Sequence, residues 1–368
     1  MTSCPYAYIS KHALKHNFDQ LKINSGAKSK IMCAVKGNAY GHGIVETIKI
    51  LYEADGYAVA RLSEAKILRD FGITQPITLL GGFTSIRELN EAIYLNCDIV
   101  IHNINQVEQL ESQSIDCNSI ACWLKIDTGM NRLGIKIADF FDTISRLESI
   151  SSVSKISLMT HLSDAEDKSG QKNSLQLKLF RDLTDNFSGD ISFANSAVIF
   201  NYEKLIKNYK WNNKGDIWIR PGIALYGVSP LIESSAKQLN LKPVMQFVSK
   251  LLAIRPISKG ESVGYNSAWK AKNDTNIGVV SVGYGDGYSK SLISGTWVVI
   301  NGRRVPLVGL VSMDLITIDL GQTTNDSIGD EVILWGEQLP VEKVAHYSNL
   351  TTYALVTGIS ERVKRQIR

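Results

Sequence analysis

Lys36 closes a short apolar run, residues 31–35, and stands in the segment Ala34-Val35-Lys36-Gly37-Asn38-Ala39-Tyr40-Gly41-His42-Gly43. A lysine at a strand end points into a pocket. Once desolvated it is a candidate for Schiff-base chemistry with a carbonyl compound. Other polar residues close apolar runs in the same way. Lys125 and Asp127 precede the turn Thr128-Gly129-Met130-Asn131-Arg132, His161 ends a run, Asn195 and Ser196 end another, and Arg220 precedes Pro221-Gly222-Ile223. Taken singly, a lysine before a turn is usually solvated, and a lone histidine is usually a satisfied core residue. Together the set offers amines, an imidazole, two guanidinium groups, a hydroxyl and a backbone amide turn.

Elements that could bring these residues together follow from hydrophobic periodicity. Short β-like runs fall at 31–35, 57–60, 77–80, 99–101, 122–126, 156–159, 191–193 and 217–219. Amphipathic stretches lie between them, with apolar stripes at Ile44/Ile48/Leu51, Ile86/Leu89/Ile93, Phe140/Ile144/Leu147 and Leu175/Leu179/Leu183. Ser85 is a candidate N-cap, and an extra helix is expected near 13–23. Eight βα units in this length predict a (β/α)8 TIM barrel over residues 1–235. A doubly wound sheet would more often carry GxGxxG after its first strand, and none is there. Past residue 235, β-branched and glycine-punctuated runs take over, with Asn301-Gly302 as a hairpin signal and one short helix near 341–347. Residues 236–368 are expected to form a mainly β domain. In a barrel, working residues sit at the C-terminal ends of strands, and phosphate often binds after the last two. Lys36 on one side, with Ser196 and Gly222-Ile223 on the other, suits pyridoxal phosphate.

Composition excludes several classes. Lys+Arg of 40 against Asp+Glu of 36 is too even for a nucleic-acid footprint. The one basic cluster, Arg362, Lys364, Arg365 and Arg368, reads as a frayed, solvated terminus. Cys4, Cys33, Cys97, Cys117 and Cys122 are odd in number and lack CxxC spacing, so free thiols in a reducing compartment are expected. With neither a secretory pattern at residues 1–11 nor a long apolar run, a cytoplasmic location is expected. The acidic group Asp164, Glu166 and Asp167 reads as a solvated loop, and no metal site is expected. Gly283-Tyr284-Gly285-Asp286-Gly287 reads as a tight turn.

The chain resembles the bacterial alanine racemases over nearly its whole length. The resemblance is carried by 34–43, 124–134, Met159-Thr160-His161, Ala194-Asn195-Ser196-Ala197, Arg220-Pro221-Gly222-Ile223, Val263-Gly264-Tyr265, Gly283-Tyr284-Gly285-Asp286-Gly287-Tyr288 and Ser312-Met313-Asp314. It departs at Gly37, where alanine is commoner, and at Asn266, where glycine is usual. The resemblance implies interconversion of L- and D-alanine with pyridoxal phosphate held on Lys36. Lys36 would serve as base on the face of D-alanine and Tyr265 on the face of L-alanine. Tyrosine's ordinary pKa of about 10 requires help near neutrality, and His161, hydrogen-bonded to Arg220, is the expected source. Arg220 would also face the cofactor's pyridine nitrogen. Arg132 would hold the phenolic oxygen and the substrate carboxylate. Tyr40, Ser196, Gly222, Ile223 and Tyr353 would hold the phosphate, with Asn195 beside them. Met313 would help bind the carboxylate, and Tyr284 would narrow the entrance for a small side chain. Lys125 is carbamylated in many relatives, where the added charge positions Arg132. A homodimer with composite sites is implied, Tyr265 and Met313 reaching the partner's barrel, as is supply of D-alanine for peptidoglycan. Amino-acid decarboxylases and broad-specificity racemases on the same plan remain alternatives, as do single-barrel carriers of the cofactor.

Overall fold

The computed structural model describes residues 5–26, 28–113, 120–167, 171–201 and 214–368. Cys4 and Cys117 lie outside them. The chain opens with strand β1 (Tyr6–Ile9) and, after the N-cap Ser10, helix Lys11–Ser25. The barrel strands follow: β2 (Lys30–Ala34), β3 (Gly56–Val59), β4 (Ile77–Leu79), β5 (Cys97–Ile101) and β6 (Ile120–Asp127), a two-residue side strand β7 (Ile135–Lys136), then β8 (Val153–Met159), β9 (Ile191–Ser192) and β10 (Trp218–Ile219). They pair in parallel in the order β10-β2-β3-β4-β5-β6-β8-β9, and the bridges Ile191–Ile217 and Asn195–Arg220 close the ring. This is the expected eight-stranded barrel.

Alternation along the strands separates two cores. Met32, Ala34, Ala58, Val100, Trp123, Met159 and Trp218 cluster together inside the barrel, with Trp123 and Trp218 edge to face at 6.3 Å. Their neighbours Ile31, Cys33, Val35, Tyr57, Val59 and Leu124 join the larger layer between strands and helices. The stripe expected on helix Gln171–Thr184 is displaced: Leu175 is exposed, whereas Asn173, Gln176, Leu177, Phe180 and Thr184 are buried. Polar bonds decide this face. Asn173 donates to the Asp164 and Asp167 carbonyls at 2.8 and 3.0 Å, and Gln176 accepts from Ser163 N–H at 3.1 Å. Satisfying the loop after β8 outweighs burying one leucine.

The second part is mainly β, as expected: β11 (Met245–Ile257), β12 (Ser262–Val263), β13 (Trp269–Lys270), β14 (Thr275–Val280), β15 (Trp297–Ile300), β16 (Arg303–Pro306), β17 (Ile316–Gly321), β18 (Glu331–Trp335) and β19 (Lys364–Ile367). The main path runs β16-β15-β18-β11-β1-β19, and β11 continues onto β14 and β17. Asn301-Gly302 turns the β15–β16 hairpin with Ile300 opposite Arg303. The tail is not frayed, contrary to the sequence expectation. Strand β19 lies parallel to β1, Tyr6 opposite Lys364. Arg365 donates to the carbonyls of Gly41, Ser360, Val363 and Ile359. Arg362 pairs with Asp286 at 2.9 Å and Asp314 at 2.6 Å, and Arg368 lies over the Tyr8 ring. Only Val363 and Ile367 interrupt the basic and polar run of residues 362–368, so the segment reads as a tail until β1 supplies backbone partners. Because β1 comes from the other end of the chain, composition offers no local signal of it.

Candidate functional site

Each candidate at the barrel mouth continues the inward alternation by two residues. Lys36 follows Ala34, Lys125 follows Trp123, His161 follows Met159, and Arg220 follows Trp218, the first of each pair belonging to the inner core. Their side chains therefore converge on one space. Their electrostatics record the convergence. Burial first, then Arg132 and Arg220, lower the Lys36 amine, with Glu64 opposing. Burial, Arg220, Arg132 and Lys36 bring Lys125 down to about 8, against Asp127. Burial, Arg220, Lys125, Arg132 and Lys36 push His161 down to about 3, so its imidazole is neutral at physiological pH. Arg220 is buried and drops to about 10, still protonated. The Asp127 Oδ1 accepts from Gly129, Met130 and Asn131 N–H, each at 3.0 Å, which shapes the turn that presents Arg132.

One sequence expectation fails in detail. Arg220 is not hydrogen-bonded to His161. Its guanidinium donates to Ser192 Oγ and, at 2.7 Å, to the Thr160 carbonyl, partners on β9 and just past β8. Its effect on His161 is electrostatic repulsion.

On the other side of the mouth, Ser196 Oγ accepts from Gly222 N–H at 2.8 Å and Ala224 N–H at 3.3 Å. Its own proton is thereby directed elsewhere. Ile223 begins the turn Ile223–Tyr226. Asn195 Oδ1 accepts from Val198 N–H at 3.0 Å, so this oxygen caps helix Ser196–Asn201. A Cβ on Gly222 would stand 2.4 Å from Tyr40 Oη, so only glycine lets the phenol approach this backbone. Burial raises Tyr40 to about 12, keeping it a neutral donor. Tyr353 packs against it with ring centroids 6.2 Å apart and is also raised by burial.

The loop carrying Lys36 has a geometry that periodicity did not reveal. Gly37, Asn38, Ala39 and Tyr40 all lie in the left-handed region, at φ 63°, 52°, 54° and 53°. Three non-glycine residues there cost roughly 3–6 kcal/mol at ~1–2 kcal/mol each. Bonds that offset the cost are Ile44 N–H to Asn38 Oδ1 at 2.8 Å, Gly41 N–H to the Gly37 carbonyl at 2.9 Å, and Gly43 N–H to the Asn38 carbonyl at 3.0 Å. Buried His42 Nδ1 bonds the Tyr40 carbonyl at 2.9 Å. A Cβ on Gly37 would meet nothing nearer than 3.9 Å, so the commoner alanine would fit this space. Asn38→Ala loses the bond to Ile44 and the residue type most tolerant of this backbone after glycine. It is expected to cost about 2 kcal/mol, read as a lower denaturant midpoint with an unchanged slope.

Tyr265, Tyr284 and Met313 are not brought to Lys36 within the chain. They lie on the β part and are 68%, 39% and 54% exposed, and Met313 stands between the exposed Leu310 and Leu315 in sequence. Among the described residues no hydrogen bond or ring contact joins any of them to Lys36. Tyr284 N–H donates to the Ser312 carbonyl, and Gly285 N–H to that of Met313, so these two residues share one corner. Asn266 stands at φ 60°, which explains why glycine is usual there. Among the described residues no group of three or more His, Cys, Asp or Glu could hold a metal, and no helix is long and apolar enough to cross a membrane. Cys33, Cys97 and Cys122 are free and buried.

Comparison with known proteins agrees with this geometry. The model of the alanine racemase N-terminal domain matches residues 9–230, and that of the C-terminal domain matches 244–367. The chain is 42% identical to the alanine racemase of Photobacterium profundum over 360 residues, 97% of each chain. The biosynthetic alanine racemase structure from Pseudomonas aeruginosa superposes with a TM-score of 0.92 at 35% identity, covering 100% of both chains. The structure from Bartonella henselae with covalently bound pyridoxal phosphate has a TM-score of 0.87 at 27% identity, again over 100% of both.

Proposed function

This chain belongs to the alanine racemase family, and from that premise we propose that it interconverts L- and D-alanine with pyridoxal phosphate held on Lys36. The observation that carries the proposal is the concentration of Lys36, Lys125, Arg132 and Arg220 at one barrel mouth, where burial first and then the neighbouring cations disfavour protons on Lys36, Lys125 and His161. The carboxylates named at this mouth, Asp127 and Glu64, oppose these shifts but do not outweigh burial and the cations. An anionic, phosphate-bearing carbonyl compound fits. The Tyr40 phenol, lying against Gly222, and the Ser196 hydroxyl supply phosphate donors opposite the amine. Ile223 N–H and Tyr353 complete that side.

Pyridoxal phosphate, when bound, supplies an electron sink that acidifies the α-hydrogen of alanine. Lys36 removes or returns that hydrogen on the D face, and its lowered pKa leaves more free amine for the task. Tyr265 works on the L face. His161, being neutral, offers its phenol a hydrogen bond rather than a charge. Arg132 orients the carboxylate with help from Met313 N–H, and Tyr284 limits the side chain to about a methyl group. The exposure of Tyr265, Tyr284 and Met313 supports a homodimer in which they complete the partner's barrel mouth. Residues 1–235 and 236–368 are the two functional units of this reading, the second reaching into the partner's site. Lys125, at about 8, has roughly a hundredfold more neutral amine near pH 7 than an ordinary lysine. A carbamate forms only from neutral amine and CO2, so Lys125 is suited to it, and the resulting anion would brace Arg132. D-Alanine made here is assigned to peptidoglycan.

Purified protein loaded with pyridoxal phosphate is incubated with L-alanine in D2O. α-Deuterated D-alanine is the expected product. Bound cofactor without D-alanine would sink the proposal. Arg220→Glu places a carboxylate toward the pyridine nitrogen. It is expected to slow racemisation about 10²-fold or more and to raise side transamination, read as pyridoxamine phosphate. No rise would remove Arg220 from that role.

A further inference from the structure

Three barrel helices open with one device. Glu64, Glu88 and Gln106 each stand in a first turn and accept from the backbone N–H four residues earlier, those of Ala60, Thr84 and His102, at 2.8, 2.7 and 2.8 Å. Glu88 stops at that local cap. Gln106 also reaches back to the preceding βα loop, donating to the Phe83 carbonyl at 3.1 Å. Glu64 reaches back too, and what it holds is the peptide after Lys36. Its Oε1 accepts from Gly37 N–H at 2.6 Å, while Oε2 accepts from Ala60 and, at 3.1 Å, Arg61. One carboxylate thus joins the C-terminal ends of β2 and β3. Oε1 has no part in capping its own helix. Gly37 is also the first residue of the left-handed turn.

We propose that Glu64 is the positioning residue for Lys36: it clamps the Lys36-Gly37 peptide at the start of the left-handed turn and sets a carboxylate before the amine. The inference rests on Lys36 being the cofactor-bearing base. The other charged or titratable groups facing Lys36 are Arg132, Arg220, Lys125 and the neutral His161, and the two arginines disfavour a proton on the amine. Glu64 alone among these groups favours it. Gln106, two units on, turns its amide nitrogen to a carbonyl, whereas Glu64 meets N–H donors with both oxygens, so a carboxylate is the group that accepts on both sides and it adds charge to position.

The test uses the full-length protein with Glu64→Gln and, as a capping control, Glu88→Gln. Without cofactor, the pH dependence of Lys36 acetylation by trace acetic anhydride is followed by peptide mass spectrometry. Glu64→Gln is expected to move the midpoint down by roughly half a unit, with acetylation at neutral pH ~3-fold faster, and Glu88→Gln to leave it in place. With cofactor, racemisation kcat of Glu64→Gln is expected to fall about tenfold at near-constant KM. A Lys36 midpoint that does not move in Glu64→Gln makes Glu64 a helix cap and overturns the proposal. Should Glu64→Gln not fold, Glu64→Asp carries the test, since it keeps charge and cap but is one methylene short of Gly37. A wild-type kcat there overturns it. The acetylation readout needs neither cofactor nor alanine, so it stands or fails separately from the racemase reading.

Discussion

Lys36→Ala is expected to abolish covalent retention of pyridoxal phosphate and to reduce racemisation by about 10⁴-fold or more, because one side chain is both the attachment point and a base. Alanine offers neither nucleophile nor proton acceptor, and its neighbours cannot substitute. Lys125 lies on another strand, β6, and His161 is neutral but answers to different partners. Removing the Lys36 charge also relieves Lys125 and His161, whose protons it repels, so both are expected to titrate higher in the variant. Borohydride reduction followed by mass spectrometry reads the attachment, and added methylamine is expected to restore part of the activity. A variant that retained cofactor through reduction would move the attachment point to Lys125. A variant that racemised at the wild-type rate would remove Lys36 from the mechanism.

Tyr265→Ala is the second large effect and an asymmetric one. Loss of α-hydrogen exchange from L-alanine is expected to reach about 10²–10⁴-fold, with exchange from D-alanine falling much less. Exchange must be read rather than net turnover. The equilibrium constant for enantiomers is unity, which forces kcat/KM to change equally in both directions whichever base is lost. Equal losses in exchange would count against a base on each face. The same variant tests the composite site. Tyr265 is 68% exposed in the single chain, so its target lies beyond its own barrel in the proposed dimer. Mixed dimers of Lys36→Ala and Tyr265→Ala would hold one intact site if the residues come from different subunits. Random mixing then restores roughly a quarter of the activity. No recovery would place both bases in one subunit.

Much of the site was legible because barrel strands impose a strict alternation. Once residues such as Trp123 and Trp218 are recognised as strand interior, Lys125 and Arg220 follow two places later on the same face. Glu64 was not legible, since its pattern lacks the Ser or Thr of a capping box and its main partner, Gly37, is 27 residues away. The left-handed turn at 37–40 was also hidden. Ala39 and Tyr40 have no preference for that backbone, and they adopt it because surrounding bonds over-determine it.

The order of βα units, the change to β texture past residue 235, and the identities of the groups at the mouth were determined by the sequence itself, since periodicity and residue chemistry are local. Pairings between distant segments were decided by tertiary structure alone. β1 and β19 come from opposite ends of the chain and complete each other's backbone bonds, so neither is a strand on its own account. The protonation of the site belongs there as well. Lys125 at about 8 and His161 at about 3 reflect burial among cations contributed by separate strands and loops, and that field does not exist until the barrel closes.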